Sequence, residues 1–98
     1  MELERFIEIL SDISINREDR KFSGIENKRS ERPDIHAFLL LDELVPGTRD
    51  MISAAEHDEF YLDVGVEELV KVITEEQVIE LRRCGVHWSE YDCLVMFA

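Results

Sequence analysis

The sequence predicts an α+β fold, a small antiparallel sheet of two to three strands packed with about four helices, as a single layer of helices on the sheet. Three patterns carry that expectation: apolar residues at helical spacing near the start, strict alternation around residue 60, and an unbroken apolar run at residues 93–97. With 98 residues the chain is read as a single domain spanning 1–98, since chains divide into separate cores only well beyond that length. At 45% hydrophobic residues it has enough apolar material for one modest core without obligatory disulfides or metal.

Leu3, Phe6, Ile7 and Leu10 fall on one stripe of a first helix, with Glu2, Glu4 and Glu8 on other faces and near the positive end of the helix dipole. Residues 17–32 carry six basic and four acidic groups with only Phe22 and Ile25 as large apolar residues, and are read as a flexible mixed-charge loop ending at Pro33. Its charges are expected to be drawn to an acidic body; a phosphate-binding arm is the alternative. From Ile35 to Val45 an apolar run rich in Leu and Ala predicts a central helix, opened by Pro33 and stopped by Pro46-Gly47. Its polar strip is predicted to be His36 with Glu43, which puts Asp42 on the apolar side among Ile35, Phe38 and Leu39.

Phe60, Leu62 and Val64 alternate with Tyr61 and Asp63 as a half-buried strand does, and residues 51–55 are expected to form a partner strand, the hairpin turning near His57-Asp58. Val66, Leu69, Val70 and Ile73 share one face of a short helix. The next helix has the clearest boundaries. Thr74 and Gln77 have capping-box spacing, Glu75 and Glu76 sit at the positive end, Arg82 and Arg83 at the negative end, and Gly85 occupies the left-handed position beyond it. Residues 87–92 are read as a loop, and Cys93–Phe97 as a strand covered on both faces and paired with the 59–64 strand.

Charge restricts function. Against 11 Lys and Arg stand 23 Asp and Glu, a formal net charge of −12, and −11 of it lies in residues 33–98. Such a body disfavours direct nucleic-acid binding and adsorption to an anionic membrane, and favours a basic protein partner. The opening residues lack a basic n-region and an apolar stretch, and no run approaches the length of a membrane span, so a cytoplasmic location is expected. In a reducing cytosol Cys84 and Cys93 are expected as thiols at core positions.

No catalytic or metal-binding motif is specific enough to assign, and no cofactor is expected. Glu56, His57, Asp58 and Glu59 form the densest polar cluster; in a strand they divide into two pairs on opposite faces, and around a turn they are solvated or form a partner-binding edge. Cys84 and His87 have C-x2-H spacing with Cys93 as a third candidate, which falls short of a four-ligand zinc site. Trp88, Glu90 and Tyr91 set two amphipathic aromatics beside acids, either closing one end of the core or forming a recognition patch. The partner-binding candidates are therefore Glu56, His57, Asp58, Glu59, Trp88, Glu90 and Tyr91.

The stretches PGTRDMISAAEHDEFYL (46–62) and ITEEQVIELRRCGV (73–86) resemble small uncharacterised proteins carried by bacteriophages and prophages. The resemblance covers about residues 33–98, brings no catalytic residues with it, and implies an accessory role in a bacterial cytosol, acting on a host protein. The expected function is thus a non-enzymatic acidic module that engages a basic partner protein. Two alternatives remain: a metal-dependent hydrolase using His57, Asp58 and Asp42, and a structural homo-oligomer, such as a homodimer, pairing through a sheet edge.

Overall fold

The computed structural model describes residues 1–11 and 21–97. Among them run α1 (Leu3–Ser11), a 3-10 turn (Phe22–Gly24), α2 (Pro33–Leu44), β1 (Ile52–Glu56), β2 (Glu59–Leu62), α3 (Val66–Val72), α4 (Glu75–Arg83), β3 (Val86–Trp88) and β4 (Leu94–Phe97). The α+β class is as expected, but the sheet has four strands, ordered β1-β2-β4-β3 and antiparallel throughout. The additional strand is β3, in residues read as a loop. Three residues are too few for a period-two signal to stand out, and only pairing with β4 reveals it: Val86 opposite Met96, His87 opposite Val95, Trp88 opposite Leu94.

A single cluster holds the core. Phe6, Ile9 and Leu10 of α1, Ala37, Leu40 and Leu41 of α2, Leu69 of α3, and Val78 and Leu81 of α4 meet Leu62, Val86, Leu94 and Met96 of the strands. These strand residues occupy one face of the sheet, so the helices form one layer on that face. Trp88, also on that face, packs edge-on against Phe6 with ring centroids 6.1 Å apart and so closes one end of the core.

Local signals near α4 hold in detail. Gln77 N–H donates to Thr74 Oγ1 at 3.2 Å and Thr74 N–H donates to Gln77 Oε1 at 3.0 Å, completing the capping box. At the other end Gly85 takes φ +97°, a backbone conformation that L side chains rarely adopt. The two arginines of the last turn do more than complement the dipole: Arg82 donates to Leu10 O and Arg83 Nη1 to Gly24 O at 3.0 Å. They tie the end of α1 and the 3-10 turn to α4. Arg5, exposed on α1, bridges Glu8 and Glu75 at 2.9 and 2.5 Å, a contact that solvent screens and that adds little to stability.

Of the mixed-charge stretch 17–32, residues 17–20 lie outside the described residues. In the remainder Ile25 is buried in the core and Arg29 pairs with Glu43 of α2 through Nε and Nη2 at 3.0 and 2.5 Å. The described part of this stretch is therefore drawn onto the acidic body by charge and anchored by Ile25 in the core and Phe22 packed against it.

The rotation of α2 corrects the expected one. His36 is fully buried, whereas Asp42, Glu43, Ile35 and Leu39 form the exposed arc. Two adjacent carboxylates must both reach water, because burying either without a partner costs several kcal/mol. Turning the helix to expose them brings Ile35 and Leu39 out and His36 in. The imidazole is accommodated because Nδ1 accepts from Arg29 N–H at 3.0 Å, and Phe22 stands edge-on at 6.0 Å. Acceptance at Nδ1 puts the ring proton on Nε2, which faces Glu80 Oε2 at 3.6 Å, too far for a hydrogen bond.

Candidate functional site

The side of the sheet away from the helices is where the candidate residues collect. Strand register assigns it Ala54 and Glu56 from β1, Glu59 and Tyr61 from β2, Val95 and Phe97 from β4, and His87 from β3. No helix among the described residues packs on this face. The expectation that β4 is covered on both faces holds for Leu94, Val95 and Met96, Val95 being fully buried between Tyr61 and His87, and fails only at the strand's end, where Phe97 remains 69% exposed.

Its chemistry is aromatic and acidic. His87 stacks on Phe97 with centroids 4.4 Å apart and 27° between planes, and its Nε2 lies 3.1 Å from Glu59 Oε2. Tyr91 leans over Tyr61 at 6.2 Å and 61°. Tyr91 reaches across from the β3–β4 turn, which Ser89 organises: Ser89 N–H donates to Cys93 O, and Ser89 Oγ accepts from Tyr91 N–H at 3.1 Å. Asp92 takes the left-handed conformation (φ 59°) that closes this turn. A hollow of about 510 Å³ lies beside the two tyrosines, lined by Ser53, Ala54, Glu56, Tyr61, Tyr91 and Cys93. Partial desolvation, then the charges of Glu59 and Glu56, push the Tyr61 phenol above its ordinary pKa. The four strands carry no Lys or Arg at all.

The sequence-derived candidates separate. Glu56 and Glu59 are directly opposed in the β1–β2 ladder and share the outer face. His57 and Asp58 make the two-residue turn between them, both with positive φ (51° and 63°), the handedness of a type I′ hairpin, and both are exposed. Asp42 lies apart on the exposed arc of α2. Tyr91 belongs to the outer face and Glu90 is exposed beside it, whereas Trp88 points to the opposite side, into the core. Tyr61, His87 and Phe97 complete the outer face, which sequence alone did not assemble; alternation of Tyr61 against Phe60 and Leu62 was the available signal.

The cysteines also part company. Both thiols are free, with Cys84 in the core and Cys93, expected there too, half-buried against the outer face. Cys84 and His87 thus serve different sides of the sheet, and no group of three His, Cys, Asp or Glu among the described residues is placed to hold a metal ion. Burial, reinforced by the Glu80 charge, raises the Cys84 thiol to about 12. A maleimide at mildly alkaline pH is expected to modify Cys93 in the native protein and Cys84 only after denaturation; mass spectrometry showing two rapid native additions would contradict this. The same shift has a stability consequence. The unfolded chain releases the Cys84 proton near 9 and the folded chain holds it to about 12, so stability falls as pH rises through that window, a slope that Cys84→Ala should remove.

No family model, curated protein or solved structure matches the chain. Among the described residues no helix is long and apolar enough to cross a membrane.

Proposed function

We propose that the protein is a non-enzymatic binding module whose uncovered sheet face engages a basic partner protein. The observation that carries this reading is one surface combining exposed aromatic side chains, Tyr91 and Phe97, with Glu56 and Glu59 and no Lys or Arg on any of its strands. Aromatics supply contact area at low conformational cost, and the carboxylates supply attraction and orientation for a cationic surface. The acidity of the folded part of the chain extends this field beyond the face itself, which speeds encounter with a basic protein and makes association sensitive to salt. The resemblance to phage and prophage proteins supports an accessory role in a bacterial cytosol, with a host protein as the partner.

The decisive experiment compares capture of basic proteins from bacterial lysate by the wild type and by the triple variant Glu56→Lys, Asp58→Lys, Glu59→Lys, with circular dichroism confirming that the variant folds. Binding to the captured partner is expected to weaken by about tenfold or more in the variant and to fall in the wild type as salt is raised. Capture indifferent to charge reversal would remove this face from consideration. A dimer in sizing experiments that is abolished by Ala55→Pro would instead assign the surface to self-association, because β1 is an exposed edge strand and the register turns the Ala55 N–H outward, where proline removes it without touching the ladder to β2.

A further inference from the structure

Within the face just described, we infer that the hollow beside Tyr61 and Tyr91 is a subsite for an arginine side chain of the partner. The inference rests on the binding reading above and adds the chemical group that is recognised. Three features meet at the hollow. Tyr61 and Tyr91 present their rings at 61° to one another, so a planar cation entering between strand and turn meets one ring by its face while its edge stays free. Glu56 lines the same hollow, and no Lys or Arg among the described residues pairs with it, whereas Glu59, opposite it in the ladder, is held by His87. Ser53, Ala54 and Cys93, all small, form the rest of the wall and leave about 510 Å³, ample for a long side chain and the backbone that carries it.

These features select among ligands. With two carboxylates close by and no Lys or Arg on the strands, the hollow repels anions. Between the two cationic side chains, the guanidinium fits better: it is planar, so it stacks on a tyrosine face, and its fork of donors can address both oxygens of Glu56 at once. Lysine brings a compact, strongly hydrated charge that keeps its water in so open a hollow. Partial desolvation first, then the charges of Glu59 and Glu56, hold the Tyr61 phenol above its ordinary pKa, which agrees with a negative field at the ring on which the cation would lie.

The test is a titration of the full chain, followed by backbone amide NMR, with three end-capped pentapeptides, Gly-Ser-X-Ser-Gly, in which X is arginine, lysine or citrulline. The arginine peptide is expected to shift the amides of residues 53–56, 61 and 91 and to bind at least about fivefold more tightly than the isosteric but uncharged citrulline peptide. Lysine should fall between them. Tyr91→Ala, at an exposed turn, and Glu56→Gln, at an exposed strand end, should each weaken the arginine peptide by about threefold or more without changing the remaining spectrum. Equal binding of arginine and citrulline peptides, or an arginine affinity unmoved by Tyr91→Ala, overturns the subsite. If the peptides fail but the charge-reversed triple variant still loses its basic partner, the subsite falls and the binding face stands; if that partner is also indifferent to charge reversal, both fall.

Discussion

Replacing Phe6 by alanine is expected to destabilise the protein by about 3–5 kcal/mol, the range for emptying a fully buried phenylalanine site. Phe6 has no solvent exposure and lies where α1 meets the sheet, its ring edge-on to Trp88. Loss of the side chain removes its own transfer free energy and leaves a void that Ile9, Leu10 and Leu81 cannot fill without distorting α1, because the interior is already close-packed. Since a domain of this size is stable by only about 5–15 kcal/mol in total, the variant should unfold at far lower denaturant, with the slope of the transition unchanged. The near-ultraviolet dichroism of Trp88 should weaken in the native baseline as its aromatic partner goes. Phe6→Leu, which retains most of the volume, should cost less than half as much. If Phe6→Ala and wild type share a midpoint, the packing described for α1 is wrong.

His36 supplies the second large effect, and its variants separate volume from hydrogen bonding. His36→Ala both opens a cavity under α2 and strands Arg29 N–H without its acceptor, so a loss of about 2–4 kcal/mol is expected. His36→Phe keeps the bulk and the contact with Phe22 but still strands the donor, at a cost of about 1–3 kcal/mol. His36→Asn places an oxygen close to the position of Nδ1 and should recover part of what alanine loses. Denaturant midpoints ordered wild type, then asparagine, then alanine would establish that the acceptor at position 36 organises residues 29–36. A fully stable alanine variant would show that the burial of His36 contributes nothing.

The same residue explains where sequence reasoning stopped. On a helical projection of α2, His36 and Glu43 define a narrow polar strip whereas Asp42 and Glu43 stand about 100° apart, and propensity does not choose which pair faces water. The choice belongs to residues outside the helix: a backbone donor at Arg29 satisfies the imidazole, and Asp42 and Glu43 reach solvent, Glu43 with Arg29 as its partner. Trp88 illustrates the same dependence. Its identity was compatible with a recognition patch or a core plug, and the pairing of β3 with β4 decided for the core by fixing which face it occupies.

What residue order alone determined is local: the capping box and glycine stop of α4, the proline that opens α2, the hairpin turning at His57-Asp58, and the concentration of negative charge in residues 33–98. Each depends on side chains within a few residues of one another, or on simple counting, and is therefore written in the sequence. The candidate site is not local. It needs β1, β2 and β4 to pair in register and the helices to take the opposite face, so that Glu56, Tyr61 and Tyr91 meet on a surface no helix among the described residues covers. Since consecutive strand residues point to opposite sides, only the packing of the helices decides which set becomes core and which is left to bind.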